Sequence, residues 1–137
     1  MYQKIYTVGC FDFFHQGHIN LLESMRNYGQ KIIVGIHDDD SIRKLKNLTP
    51  EQHKPLIERI KDVKPYCDRV FIISGTDPSP FLEAYFNNED NFETSLFIRA
   101  NDNINFPGIE VVKSKMNIQY LPYTQGISST QIRKNLL

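Results

Sequence analysis

Neither sign of charge is in surplus: sixteen Lys and Arg balance sixteen Asp and Glu over 137 residues. No long-range field therefore draws the chain to DNA or to an anionic membrane. An anionic ligand must be held by local cations and backbone amides. Cysteine is nearly missing, with Cys10 and Cys67 far apart and no Cys-x-x-Cys pair. That gives no disulfide framework and points to free thiols in a reducing, intracellular compartment. Also missing are an apolar run of about 18 residues, a secretory leader and a stop-transfer pattern. A soluble, cytoplasmic protein without membrane insertion or a nucleic-acid partner is the expectation. Repeats, low-complexity tracts and linkers are absent as well, and the length suits one domain spanning 1–137.

What is present alternates. Short apolar runs occur at 5–8, 32–36, 70–73, 96–98 and 118–121, several of them rich in β-branched residues. Without polar alternation they read as strands buried on both faces, as in a parallel sheet. Helical patterns at 17–28, 55–64, 80–87, 108–116 and 128–136 lie between and after them. Strand–helix alternation of this kind predicts a doubly wound α/β fold. Ligands of such sheets bind beyond the carboxyl ends of the strands, where strand order reverses.

One stretch carries the chemistry: Gly9-Cys10-Phe11-Asp12-Phe13-Phe14-His15-Gln16-Gly17-His18. It joins the first predicted strand to a helix with apolar spacing at Ile19, Leu22, Met25 and Tyr28. The first N–H groups of a helix lack intrahelical partners and carry partial positive charge, which suits phosphate. Two imidazoles add directional donors there, and Gly17 removes a side chain that would keep phosphate from the backbone. A second turn, Tyr123-Thr124-Gln125-Gly126-Ile127-Ser128-Ser129-Thr130-Gln131-Ile132-Arg133, combines a glycine, three hydroxyls and a guanidinium. Ser128 and Gln131 form a capping box that starts a helix whatever the function. The hydroxyls and Arg133 exceed what capping needs and suit β- and γ-phosphates.

Other features have two readings. Asp38-Asp39-Asp40 suggests a metal site, but N-terminal charge for a helix starting near Ser41 is favoured. His37, at the end of the second strand, is placed to face a ligand. Arg43-Lys44-Leu45-Lys46 is a solvated charge run on composition alone. Thr49-Pro50-Glu51-Gln52 has the form of a capping box, and Pro55 opens a helix that Pro65 ends. His15 and His18 with Cys10 or His37 have a spacing possible for zinc, yet a fourth ligand is missing.

Gly-Cys-Phe-Asp…His-Gln-Gly-His together with Ile-Ser-Ser-Thr-x-Ile-Arg resembles the signatures of the cytidylyltransferase-like nucleotidyltransferases, over essentially the whole chain. The glycerol-3-phosphate, ethanolamine-phosphate and choline-phosphate types are the most similar. The resemblance implies a Rossmann-like sheet of five parallel strands and transfer of CMP from CTP to a phosphorylated alcohol. It also implies Mg²⁺ arriving with the triphosphate, and a homodimer. His15, His18, Lys44 and Arg133 would then be catalytic. Gly9, Cys10, Phe11, Gly17, Lys46, Asp102, Thr124, Gly126, Ile127, Ser128, Ser129 and Thr130 would join them around the nucleotide. Asp12, His37 and Tyr123 would face the acceptor. Asp102 fits the acidic position of a Gly-Asp-Asp-Trp-like run, although the glycine and the aromatic residue are absent and an Asx-type turn explains it equally.

The chain departs from the family where Tyr123 and Pro65 replace two arginines, with Arg59, Arg99 and Arg133 as candidates to compensate. A tyrosine does not restore the lost charge. Two alternatives stay open: an adenylyltransferase using ATP on a sugar phosphate or a nucleotide, and a non-catalytic nucleotide-binding relative.

Overall fold

Five strands form one all-parallel sheet in the order β3-β2-β1-β4-β5. They are β1 (Tyr2–Gly9), β2 (Gly29–His37), β3 (Arg69–Ile73), β4 (Ser95–Ala100) and β5 (Asn117–Leu121). The computed structural model describes residues 1–102 and 104–136. Helices α1 (Gln16–Met25), α2 (Asp39–Lys46), α3 (Leu56–Val63), α4 (Ser79–Tyr85), α5 (Ile109–Lys113) and α6 (Ser129–Leu136) complete the chain. The order reverses beside β1, so the end of β1 is the topological switch point.

Residue parity along the strands sorts the core into two layers. Ile5, Ile32, Val34, Ile36, Leu96 and Ile98 pack with Leu22 and Met25 of α1 and Val63 of α3. Tyr6, Val8, Ile33 and Phe97 pack with Leu82 of α4 and Val112 of α5. Adjacent residues of one strand thus serve opposite layers, which is the period-two rule of a pleated strand.

Three expectations need correcting. Burial on both faces holds for β1, β2 and β4, but β3 and β5 are sheet edges and partly bare; Ile72 is 47% exposed. The helix predicted over 17–28 ends at Met25, because the amides of Arg26, Asn27 and Tyr28 bond three residues back and tighten the chain into a turn. The helix predicted over 108–116 spans Ile109–Lys113: Gly108, with φ +90°, lies outside helical space, and at the other end the Lys115 amide bonds three residues back to Val112 and closes the chain into a turn. The aspartate run does serve a helix start. Asp38 is the cap, accepting from the Ser41 amide at 3.0 Å, and Asp39 and Asp40 lie in the first turn of α2. Residues 50–52 form only a short 3₁₀ turn before α3.

Candidate active site

The turn between β1 and α1 is a strained loop held from below. Phe11 and Phe13 have φ values of 53° and 45°, a region that bulky residues rarely enter. Two buried arginines brace it. Arg59, fully buried, donates to the carbonyls of Cys10 (2.9 Å), His37 (2.7 Å) and Lys54 (3.0 Å) and to Asp39 Oδ1 (3.0 Å). Arg133, 7% exposed, donates to Asp12 Oδ2 (2.7 Å) and to the Gln52 carbonyl (2.7 Å). The other Asp12 oxygen accepts the Lys54 amide at 2.8 Å, and Ser129 Oγ donates to the Asp12 carbonyl. The 52–54 segment and α6 therefore meet under the histidine turn.

Backbone amides fix the state of both histidines. His15 caps α1, its Nδ1 accepting the Gly17 N–H at 3.0 Å. His18 reaches back, its Nδ1 accepting the His15 N–H at 3.2 Å. With Nδ1 an acceptor in each ring, the proton of the neutral imidazole sits on Nε2, leaving two Nε2–H donors. The rings stack with centroids 3.9 Å apart. Burial pushes the His18 pKa down to about 3, with His15 and Lys46 adding to the shift, and burial also lowers that of His15. Both rings are neutral at pH 7. The Gly17 requirement has a local cause besides ligand approach: a Cβ there would lie 2.8 Å from His15 Cε1 and displace the cap.

A cavity of about 810 Å³ opens above this turn at the carboxyl edge of the sheet. It brings together Gly9, Cys10, Phe11, Asp12, His15, Gly17 and His18 with Thr124, Ser128, Ser129 and Thr130, so the two distant turns share one cradle. Asn20 Nδ2 ties them further, donating to Thr124 Oγ1 at 3.2 Å. Lys46, His37, Asp102 and Tyr123 also line the cavity.

Lys44, Gly126, Ile127 and Arg133 are not part of its lining. Lys44 and Lys46 are two residues apart on α2, about 200° around a helix at 100° per residue, so only one of them can face the cavity. The guanidinium of Arg133 is engaged by Asp12, and Gly126 instead supplies the turn's positive φ of 86°. Cys10 carries a thiol that burial keeps protonated above the usual range. Among the described residues no three His, Cys, Asp or Glu side chains gather to hold a metal ion. Nor, among the described residues, is any helix long and apolar enough to cross a membrane.

Of the three arginines offered as compensation, Arg99 alone lines the cavity. Nothing in the sequence separated Arg99 from the others. Its position two residues past Phe97 on β4, and so on the side of α4 and α5, emerges only from strand register.

A parallel sheet with its cavity at the switch point defines a Rossmann-like α/β protein. Residues 6–135 match the family model described as cytidylyltransferase-like, and the chain belongs to that family of nucleotidyltransferases. It is 30% identical over 138 residues to the glycerol-3-phosphate cytidylyltransferase of Bacillus spizizenii, covering 98% of this chain and 97% of that protein. It is 28% identical to the ethanolamine-phosphate cytidylyltransferase of Dictyostelium discoideum, over 98% of this chain but 36% of that protein. The bifunctional protein HldE of Desulfatibacillum aliphaticivorans is 38% identical over 62% of this chain, which is 15% of its own length. A lipopolysaccharide core biosynthesis protein from Thermoplasma volcanium superposes with a TM-score of 0.69 over 90% of this chain and 98% of its own, at 16% identity.

Proposed function

We propose that the chain transfers CMP from CTP to a small phosphorylated alcohol of the glycerol-3-phosphate, phosphoethanolamine or phosphocholine type. The observation that carries this reading is the pair of neutral, backbone-locked imidazoles, with Nε2–H donors, in the same cavity as the Ser128–Thr130 hydroxyls. An oxygen of the acceptor phosphate attacks the α-phosphorus in line, the bond to the bridging oxygen breaks, and pyrophosphate leaves. The attacking phosphate is already ionised at pH 7, so no general base is required. Catalysis is then positioning plus stabilisation of developing charge. His15 and His18 donate to the α-phosphate oxygens, and each is held in the correct tautomer before the substrate arrives. Lys46 and the first amides and hydroxyls of α6 hold the leaving phosphates.

Asp12 is engaged by Arg133 and Lys54, which leaves Asp102 as the other carboxylate of the lining. That donor set fits a magnesium ion carried on triphosphate oxygens and water rather than a protein cage. When bound, magnesium neutralises charge on the β- and γ-oxygens. A homodimer belongs to the same proposal by family analogy.

A second reading is an adenylyltransferase using ATP, which the Gly9-Cys10-Phe11-Asp12 opening and the Ile127–Arg133 spelling also resemble, whereas Tyr123 and Pro65 in place of family arginines favour a non-catalytic relative. Pyrophosphate release with CTP or ATP, each against glycerol 3-phosphate, phosphoethanolamine, phosphocholine and a sugar phosphate, separates the two. Turnover confined to CTP supports the first reading. Turnover confined to ATP replaces it, and nucleotide binding without pyrophosphate release under any acceptor selects a non-catalytic role.

A further inference from the structure

We infer that Arg99 and His37 form the acceptor subsite, the guanidinium binding the phosphate and the imidazole accepting a hydrogen bond from a hydroxyl of the same molecule. The inference rests on the nucleotidyl-transfer reading above and narrows its acceptor to a hydroxylated phosphomonoester.

Parity places both side chains on one side of the sheet. Arg99 follows Phe97 and His37 follows Ile33, and both of those residues pack toward α4 and α5. The histidine turn leads instead into α1, whose Leu22 and Met25 pack on the opposite face. Cavity walls of different chemistry thus face each other across the end of β1: imidazole donors and hydroxyls on one, Arg99 and His37 on the other. An in-line reaction needs that separation, with the attacking phosphate and the triphosphate approaching from different sides.

The Arg99 guanidinium stacks over Phe106 at 4.5 Å and donates to the Val8 carbonyl at 3.4 Å. Among the described residues it forms no ion pair, although Asp102 lies near enough to act on it electrostatically. A guanidinium has five N–H donors, and among the described residues only the Val8 carbonyl takes one, which leaves most of its fork to an anion. His37 is 6% exposed, and its Nδ1 lies 3.2 Å from the Gly75 carbonyl. A carbonyl only accepts, so Nδ1 carries the proton and Nε2 presents a lone pair, the reverse of His15 and His18. Burial lowers the His37 pKa and keeps the ring neutral, with the nearby Arg99 charge acting in the same direction. β2 and β4 flank β1 and the register sets His37 two residues further along than Arg99, so the two stand roughly 12 Å apart at the backbone, two strand spacings across and two residues along. Both residues line the cavity on either side of that gap, which suits a small molecule with phosphate at one end and a donor at the other. Phosphocholine has the phosphate and no donor.

The experiment compares the wild type with Arg99→Gln, Arg99→Lys and His37→Leu, all checked for folding by thermal melts. Pyrophosphate release is followed with glycerol 3-phosphate and with phosphocholine. Arg99→Gln should raise KM for glycerol 3-phosphate at least tenfold, leave KM for the nucleotide within threefold, and be partly rescued by lysine. The wild type should prefer glycerol 3-phosphate to phosphocholine, and His37→Leu should shrink that preference. A rise confined to the nucleotide KM, an Arg99→Gln enzyme with unchanged constants, or equal use of both acceptors by the wild type overturns the assignment. If the wild type releases no pyrophosphate, nucleotidyl transfer itself has failed. Calorimetric titration of glycerol 3-phosphate then decides the subsite alone: binding lost in Arg99→Gln sustains it, and absent or unchanged binding ends it.

Discussion

Asp12→Asn should destabilise the protein far more than its single-atom change suggests. The Asp12 side chain is fully buried and that of Arg133 is 8% exposed, with 2.7 Å between their charged atoms. Asparagine keeps an oxygen for the Lys54 amide but strands the guanidinium without a counter-charge. Breaking a buried pair from one side costs about 3 to 5 kcal/mol, because the remaining charge stays desolvated. With a urea m-value of roughly 2 kcal/mol/M for a chain of this size, the denaturation midpoint should fall by roughly 2 M. Removing both charges in Asp12→Asn/Arg133→Met should recover part of that loss, since no isolated ion remains. Activity should fall in the single variant even under conditions where it stays folded. The pair holds a turn whose left-handed residues each store about 1–3 kcal/mol of strain, and a shift of about 1 Å at the histidines is enough for a hundredfold loss. A midpoint shift under about 0.5 M, equivalent to roughly 1 kcal/mol, would refute the reasoning. So would a double variant no more stable than Asp12→Asn.

Three further outcomes follow from the same geometry. His18→Ala should lower kcat by about 10² or more with a smaller effect on stability, the scale of a lost oxyanion donor, and near-normal kcat would contradict it. Acid should destabilise the fold: the native pKa of His18 is depressed from 6.5 to about 3, and those of His15 and His37 are also lowered. The unfolded chain therefore takes protons that the native state refuses as pH falls. The contribution is complete above pH 6.5 and declines toward pH 3, for His18 by up to about 1.4 kcal/mol per pH unit, measurable as urea midpoints between pH 7 and 5. Finally, Lys46→Met should raise KM for the nucleoside triphosphate about tenfold or more while Lys44→Met changes it by less than about threefold, given the loss of one phosphate-paired charge. The reverse order in steady-state kinetics would mean that α2 is turned differently when substrate is bound.

Sequence alone determined what depends on near neighbours. Runs of β-branched residues separated by helical patterns required a parallel α/β sheet, because an apolar strand without alternation must be covered on both sides. His15-x-x-His18 and Ser128 declared helix starts through local bonding, and the structure has the Gln131 amide donating to Ser128 Oγ at 3.1 Å. The expected meeting of the two turns came from family resemblance, since residues so far apart share no local physics. Strand register was likewise silent in the sequence, so the edge position of β3 and β5 and the placement of Arg99 had to await the fold.

Tertiary structure decided the electrostatics. Arg133 looked like a phosphate ligand because a guanidinium beside three hydroxyls at a helix start exceeds what capping needs. Only the fold reveals that Asp12, 121 positions earlier, takes its guanidinium. Composition likewise gave no sign that Arg59 would be fully buried among four acceptors, whereas Arg99 would be left facing the cavity. Helix geometry chose Lys46 over Lys44, and the backbone amides of Gly17 and His15 chose the tautomers. A charge acts through whatever lies within a few ångströms, and chain topology determines what those neighbours are.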